Sequence, residues 1–140
     1  MTATLARPLP RPDAQTRPYW DACAQGQLTY QSCTRCGRVQ FTPRALCEQC
    51  QCTDLGWHLS ERIGTVLTFT TVHRAPLPVF KAMTPYVIAL IDMKEGFRLM
   101  ANATADVSQK IAIGSTVQIG FTEVNGMTLP IVQSLIEMPR

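Results

Sequence analysis

The second half of the chain is organised by a period of two. Every second residue is apolar from Phe97 to Ala103, and the same alternation returns from Val117 to Phe121, as expected of strands with one buried face. Residues 65–72 are rich in β-branched side chains, whereas residues 86–93 form a nearly continuous apolar run. A run of that kind predicts a strand buried on both faces.

Turn signals join these segments into an antiparallel order. Asn125-Gly126 is a strong hairpin signal and leads into a fifth strand over residues 127–133, while Gly96 closes another tight connection. A polar stretch, residues 106–110, predicts a helical turn between the third and fourth strands. Five short strands in this arrangement match an OB-fold barrel. A small sandwich or a different barrel is the alternative.

The beginning of the chain has no such alternation. Residues 1–16 are rich in proline and predict an extended, flexible tail. Residues 17–28 then predict a short helix, with Tyr19, Trp20 and Cys23 on one apolar face. The two aromatic rings either pack on the protein's own body or form a contact surface for a partner.

Between this helix and the barrel lie two Cys-x-x-Cys pairs separated by ten residues. Each pair can wrap a tight turn and aim two thiolates at one point, and two such turns give the tetrahedral sulfur set that Zn²⁺ accepts. Four cysteines leave no position for water or substrate, so the predicted site is structural. Iron is the rival metal, and Cys52 offers a ligand in an altered register. The predicted ligands are Cys33, Cys36, Cys47 and Cys50.

These patterns divide the chain into a tail (1–16), a helix with a zinc ribbon (17–58) and a barrel (59–140). The predicted fold class is therefore mostly β: a short N-terminal helix and a rubredoxin-like zinc ribbon, followed by a five-stranded OB-fold barrel. The ribbon is too small for a core of its own, so the metal is expected to supply about 10 kcal/mol or more of its folding free energy.

Composition narrows the function. The chain of 140 residues is 46% hydrophobic, with a net charge of +3 and 16% charged residues. Proteins that bind nucleic acid through phosphates usually carry a denser basic stripe. No signal-peptide pattern is present at the N-terminus, and Cys23 and Cys52 remain as unmatched thiols. Free thiols suit a reducing compartment, so we expect a cytoplasmic protein.

A catalytic constellation is hard to find in the sequence. The histidines are His58 and His73, and nothing local pairs either with a nucleophile such as Cys23 or Cys52. We therefore expect no enzymatic activity from the chain alone.

The ordered set of motifs resembles the zinc-ribbon/OB-fold family formerly labelled domain of unknown function 35. The resemblance covers roughly residues 17–133. Its motifs are Tyr19-Trp20, Gly26-Gln27-Leu28, the two cysteine pairs, Phe41-Thr42-Pro43-Arg44, Trp57, Gly64-Thr65-Val66, Pro85-Tyr86-Val87, Glu95-Gly96, Gly114 and Leu129-Pro130. The chain departs from the family where Gln51 and Cys52 follow the fourth cysteine, and where Arg62-Ile63-Gly64 stands for Gly-Arg-Gly.

The resemblance implies a helper subunit. Family members look like partners of thiolase-fold enzymes in acyl-CoA metabolism, such as acyltransferases, ketothiolases or aldolases. Their ribbon and barrel are thought to dock on the partner or to help hold the CoA thioester. The family's four ligand cysteines carry over to the four cysteines above. Candidate residues for CoA are Arg74, Lys81 and Arg98, and candidate partner contacts are Tyr19, Trp20 and Phe80.

Two other functions compete with this one. Zinc ribbons and OB barrels both bind single-stranded nucleic acid by stacking its bases on aromatic rings. Phe69, Tyr86 and Phe97 lie in predicted strands, but the alternation places them mainly inward, which disfavours this function. A stand-alone acyl-CoA hydrolase or transferase is the other possibility and would use Cys23 or His73. The loop from Arg74 to Thr84 is apolar enough to be either a lid on the barrel or a binding loop.

Overall fold

A computed structural model describes residues 7–136. The chain forms a ribbon of three strands and a barrel of five, with three short helices. The helices are α1 (Arg17–Ala24), α2 (Pro78–Lys81) and α3 (Ala105–Lys110); the strands are β1 (Thr29–Cys33), β2 (Val39–Gln40), β3 (Leu55–Leu59), β4 (Ile63–Val72), β5 (Tyr86–Met93), β6 (Arg98–Asn102), β7 (Thr116–Val124) and β8 (Met127–Ile136).

The ribbon sheet has the order β2-β1-β3 and is antiparallel throughout. Strand β1 lies at its centre and alternates between buried and half-buried residues. The buried positions are Thr29, Gln31 and Cys33, so the inner face of this strand is polar or sulfur-bearing. Such a face cannot form an apolar core, as the sequence indicates.

The barrel sheet has the order β6-β5-β4-β7-β8. A parallel bridge between Ala103 and Val132 brings its two edge strands together, and the amide of Thr104 donates to the carbonyl of Val132 at 3.1 Å. The sheet is thus closed into the five-stranded OB barrel, and the predicted fold class is confirmed. Helix α3 lies between the third and fourth barrel strands, where a helical turn is predicted.

The hairpins follow their turn residues. Asn125 and Gly126 have φ of 50° and 86° and connect β7 directly to β8, the backbone that a two-residue type I′ turn requires. At the β5–β6 connection Gly96 has a φ of 100°. Both turns fix the register of the strands beside them.

The expectation that residues 86–93 are buried on both faces is wrong. Burial along β5 alternates strictly, with Val87, Ala89, Ile91 and Met93 inside and the residues between them only half-buried. The physical reason is closure, because each strand of a barrel has one face towards the core and the other outside.

The ribbon packs on the barrel through aromatic rings, and one hydrophobic cluster includes residues of both. The rings of Tyr30 and Phe41, from the ribbon, stack on Phe97 with centroids 5.1 and 5.0 Å away. Tyr19 of α1 meets Phe41 edge-on at 5.4 Å. We call Tyr19, Tyr30, Phe41 and Phe97 the aromatic column. It joins the helix, the ribbon and the barrel.

The predicted flexible tail falls partly outside the described residues, which begin at Arg7. Residues 7–16 contain no helix or strand, and only residues 14–16 form a turn. The Nη2 of Arg7 donates to the Oδ1 of Asn102 at 3.3 Å, and its guanidinium lies 5.6 Å from the centre of the Phe80 ring. Flexibility of the tail stays a prediction.

None of the helices within residues 7–136 combines the length and the apolar character needed to cross a membrane.

Candidate functional site

The four predicted ligand cysteines come together at one end of the ribbon. All four Sγ atoms lie within 4.8 Å of one another. The pairs Cys33–Cys50 and Cys36–Cys47 each have an Sγ–Sγ distance of 3.5 Å. A tetrahedral Zn–S₄ centre with bonds near 2.3 Å has sulfur–sulfur distances of about 3.8 Å. The cysteines are therefore positioned to bind a metal ion.

The two turns that carry these cysteines share one backbone design. In the first, the amide of Gly37 donates to the carbonyl of Cys33 at 3.0 Å, and in the second the amide of Gln51 donates to the carbonyl of Cys47 at 3.0 Å. Gly37 has a φ of 77° and Gln51 a φ of 63°. Gln51 thus adopts a left-handed conformation that suits glycine and costs other residues free energy.

Backbone amides also point at the sulfur atoms. The amides of Arg35 and Cys36 donate to the Sγ of Cys33 at 3.4 and 3.5 Å, and that of Gln49 donates to the Sγ of Cys47 at 3.4 Å. Hydrogen bonds from the backbone of Cys36 and then Arg35 lower the pKa of Cys33 to about 6. Amides that stabilise a thiolate favour the form that binds metals.

Cys52 lies outside this cluster. Its carbonyl accepts from the amide of Cys47 at 2.9 Å, and its Sγ accepts from the amide of Asp54 at 3.4 Å. In the described residues the sulfur of Cys52 therefore serves a local turn, and the group that could hold a metal is made from the other four cysteines.

Two buried glutamines hold the loop that precedes the second cysteine pair. Gln31 and Gln40 are each 3% exposed, and the Nε2 of Gln40 donates to the Oε1 of Gln31 at 2.9 Å. The Oε1 of Gln40 accepts from the amide of Glu48 at 3.0 Å. Gln31 both accepts from the amide of Arg44 at 3.0 Å and donates to its carbonyl at 3.1 Å. These bonds fix residues 44–48 on the ribbon sheet.

This pair of glutamines was not among the residues predicted from the sequence. A signal was nevertheless present, because Gln31 stands two residues before Cys33 and so shares its face of β1. A polar residue on the face that also carries a metal ligand predicts a buried hydrogen-bond network.

The candidate CoA residues do not form one cluster. Arg98 pairs with Asp92 near the end of β5, with Nε donating to Oδ1 at 2.7 Å. Arg74 and Lys81 belong to the segment between β4 and β5, and both are exposed. Because β5 spans about 23 Å, the structure places these two residues at the opposite end of the strand from Arg98.

The candidate partner residues differ in exposure. Tyr19 is only 4% exposed and belongs to the core cluster, so its ring is not available at the surface of the chain as it stands. Trp20 is half-buried and meets Tyr19 edge-on at 4.8 Å. Phe80 is also half-buried, with its ring centre 6.2 Å from that of Tyr86.

Trp20 lines a mainly apolar cavity of about 760 Å³. Its walls come from the N-terminal segment, α1, the ribbon and the barrel. They include Pro8, Phe41, Met83, Tyr86, Met100 and Pro130. Met83 and Met100 are 42% and 67% exposed, so part of this wall is open surface.

Comparisons with known proteins place both halves of the chain. Residues 20–55 match the family described as "ChsH2, rubredoxin-like zinc ribbon domain", and residues 57–122 match "ChsH2, C-terminal OB-fold domain". A "DUF35 domain-containing scaffold protein" of Methanothermobacter thermautotrophicus is 30% identical over 69% of this chain and 73% of its own length.

The chain belongs to the DUF35 family. The resemblance drawn from its sequence is confirmed. A "Probable enoyl-CoA hydratase alpha subunit" of Thermomonospora curvata is 31% identical over 93% of this DUF35 chain, but the chain spans only 40% of that protein. A scaffold protein of Methanocaldococcus jannaschii is 32% identical, and the chain spans 65% of it.

Solved structures of DUF35 proteins share the fold. A structure described as "Ltp2-ChsH2(DUF35) aldolase" matches with a TM-score of 0.78 and 28% identity, covering 89% of this chain and 98% of that one. A DUF35 protein from Sulfolobus solfataricus matches with a TM-score of 0.61 at 16% identity, which shows the fold alone.

The aromatic residues considered for nucleic-acid stacking do not form an open platform in this DUF35 chain. Phe97 is 5% exposed and is covered by Tyr30 and Phe41. Phe69 and Tyr86 are half-buried on different strands. A stacking site for single strands needs exposed ring faces in a row.

Cys23 and His73, the residues that a catalytic function would use, do not form a catalytic group. Cys23 is fully buried, and burial raises its pKa to about 11, which makes the thiolate scarce at neutral pH. His73 is exposed and lies in the segment that follows β4, away from Cys23 in the core.

Proposed function

We propose that this chain is a non-catalytic scaffold subunit that docks on a thiolase-fold enzyme of acyl-CoA metabolism and helps to hold the acyl-CoA. One observation carries the proposal: the chain matches 98% of a DUF35 chain from a structure described as an aldolase, with a TM-score of 0.78. The relatives described as scaffold proteins support the same role.

The metal site supports a structural role within this scaffold. Four thiolates around one point fit Zn²⁺ with all its ligand positions filled, so the proposed ion is zinc, and iron is the less favoured metal. Cys33, Cys36, Cys47 and Cys50 would hold it. When bound, the ion would cross-link the two cysteine turns. Its four ligand positions would all be occupied by cysteine, so substrate could not bind to it.

The apolar wall around Trp20 is the proposed docking region. Met83 and Met100 line the cavity and are exposed. Phe80 lies beside Tyr86, the first residue of β5, which also lines the cavity. Exposed apolar side chains grouped on one side of a domain are typical of protein contacts. Aromatic residues in such a group carry a large share of binding free energy.

Acyl-CoA is the proposed ligand that chain and partner share. Arg74, Lys81 and Arg98 remain the proposed CoA contacts, although they lie at two ends of β5. Either end can meet the CoA phosphates once the partner has positioned the ligand.

The decisive experiment co-expresses the chain with thiolase-fold proteins from the same genome. We expect one of them to co-purify with the chain in a fixed ratio, measured by light scattering on a sizing column. The substitution Met100→Glu should weaken the complex, because it places a charge in the proposed contact. Gln109→Glu, on the exposed side of α3, is the matched control.

Two results would overturn the proposal. One is a chain that stays separate from every such thiolase-fold protein at micromolar concentrations. The other is hydrolysis or transfer of an acyl-CoA by the purified chain alone, with turnover lost in Cys23→Ser or His73→Gln.

A further inference from the structure

A polar groove of about 460 Å³ lies between the ribbon and the β5–β6 hairpin. From the ribbon it receives Arg38, Arg44 and Glu48, and from the hairpin it receives Asp92 and Arg98. Three guanidinium groups and two carboxylates thus meet where the two halves of the molecule face each other. A volume of this size is typical of small-molecule sites.

The carboxylates orient two of these arginines but use only some of their N–H donors. Glu48 accepts from the Nε of Arg38 at 2.9 Å, and Asp92 accepts from the Nε of Arg98 at 2.7 Å. A guanidinium has five N–H donors, and within residues 7–136 no hydrogen bond from an Nη of Arg38 or Arg98 is recorded. Their Nη groups remain available for an anion.

The third arginine is positioned through its backbone. Both the amide and the carbonyl of Arg44 are bonded to the buried side chain of Gln31. In the described part of the chain, the three ion pairs do not include the guanidinium of Arg44. Its charge is therefore available beside a fixed segment of backbone, and the side chains of the groove carry a net positive charge.

An apolar wall completes the groove. Phe41 and Phe97, which stack on each other at 5.0 Å, both line it. Phe97 is 5% exposed and covered by Phe41 and Tyr30, so the half-buried Phe41 is the ring that can offer apolar contact here. Cations beside one accessible ring suit a ligand that joins phosphates to a planar base.

We propose that this groove binds the phosphate-bearing nucleotide end of the acyl-CoA through Arg38, Arg44 and Arg98. The inference rests on the proposed function and deepens it, since it assigns the phosphates to the end of β5 that carries Arg98 and adds two arginines from the ribbon. Guanidinium forks match phosphate oxygens two at a time. The ribbon thereby takes a direct part in holding the ligand.

A segment of acidic protein is the competing occupant. The observations favour a small ligand, because the groove is a concave space of about 460 Å³ between the ribbon and the hairpin, with Phe41 beside its arginines. An acidic segment needs only charge and gains little from this ring.

The test is calorimetric titration of the metal-loaded chain with three probes: CoA, adenosine 3′,5′-bisphosphate and pantetheine. We expect saturable binding of the first two and none of pantetheine, which has no phosphate. Arg44→Gln should weaken both phosphate ligands about tenfold or more, because it removes charged hydrogen bonds. Arg98→Gln should act in the same direction. Arg17→Gln, an exposed arginine outside the groove, is the matched control.

Three outcomes would overturn the groove assignment. The first is no saturable binding of either phosphate ligand up to millimolar concentration. The second is an equal loss in Arg17→Gln, which indicates a general charge effect. The third is an Arg44→Gln chain that binds both probes normally but no longer co-purifies with its partner, which assigns the groove to an acidic protein segment.

Failure of this inference is distinguishable from failure of the scaffold proposal. If the chain forms the complex but does not bind the nucleotides, only the groove assignment is refuted. If it binds the nucleotides but forms no complex, only the scaffold role is refuted. Metal content and circular dichroism of each variant verify that it is folded.

Discussion

The ribbon and the barrel hold their shapes by different means. Inside the barrel the buried side chains are aliphatic, as in Val66, Ile91 and Val117. Inside the ribbon they include Gln31 and Gln40, which bond to each other, and Cys33 and Cys47, whose sulfurs belong to the cluster that could hold a metal. Thr29 is also buried there, and among residues 7–136 its hydroxyl has no hydrogen-bond partner. The stability of the barrel therefore comes mainly from burial of apolar side chains. The stability of the ribbon comes mainly from directional hydrogen bonds and metal ligation.

This difference predicts how each half responds to change. Apolar packing tolerates small losses in proportion to the volume removed. A network of directional bonds fails when one member is lost, because the remaining buried groups have no partners. The substitutions that follow separate the two cases.

Loss of a metal ligand should have the largest effect. Cys36→Ser removes one sulfur from the cluster, and we expect most of the metal's folding contribution, about 10 kcal/mol or more, to be lost. Elemental analysis should show little bound metal, and amide exchange should rise in β1–β3 but not in β5. Cys52→Ser is the control and should keep a full metal content. Equal metal contents in the two variants would contradict the assignment of ligands.

In the barrel, the largest single effect is expected at Gly64. A Cβ there would lie 2.5 Å from the Cγ2 of Ile91 and 2.8 Å from the carbonyl oxygen of Asp92. Gly64→Ala should therefore lower the free energy of unfolding by about 3 kcal/mol through overpacking, measured by urea denaturation. Gly56→Ala in β3 meets its nearest atom at 3.4 Å and is the control. Metal content should stay unchanged in both variants.

The glutamine network should come next. Gln40→Leu leaves the amide of Glu48 and the carbonyl of Leu46 without their bonds to Gln40, while Gln31 keeps its two bonds to Arg44. Each bond lost at a buried group costs about 1–3 kcal/mol. We expect faster transfer of the metal to a chromogenic chelator. Gln49→Leu, exposed in the second cysteine turn, should transfer its metal at the wild-type rate. Equal rates for both variants would show that the network does not position the cysteines.

The smallest effects should come from the two cysteine turns. Gly37→Ala forces a residue with a Cβ into a left-handed conformation and should cost about 1 kcal/mol. Gln51→Gly removes the strain of that conformation but raises the conformational entropy of the unfolded chain. The free energy of unfolding is therefore expected to increase by about 0.5 kcal/mol or less. Paired denaturation curves test these opposite signs, and the same sign in both turns would refute the shared backbone design.

Local signals in the sequence predicted local structure well. The cysteine spacing, the Asn125-Gly126 turn and the alternation after Phe97 each describe a few neighbouring residues, and each has its expected structure. The barrel could be predicted from these local signals because few closed arrangements are compatible with the order of its five strands.

Features that depend on contacts distant in the sequence were not predictable in the same way. Tyr19 is buried by residues distant in the sequence, among them Phe41 of the ribbon. Arg98 and Arg74 seemed equivalent as cations, but strand pairing places them at opposite ends of β5. The groove that includes Arg44 exists only because the ribbon faces the hairpin.

The aromatic column has a consequence for synthesis of the protein. A ribosome releases the chain from its N-terminal end, so both cysteine turns emerge before Phe97. The ribbon can capture its ion early, while the rings of Tyr30 and Phe41 stay exposed to water until β6 is made. The order of synthesis thus allows metal capture to precede the packing of the ribbon on the barrel. A nascent chain halted before Phe97 would present two uncovered rings to chaperones.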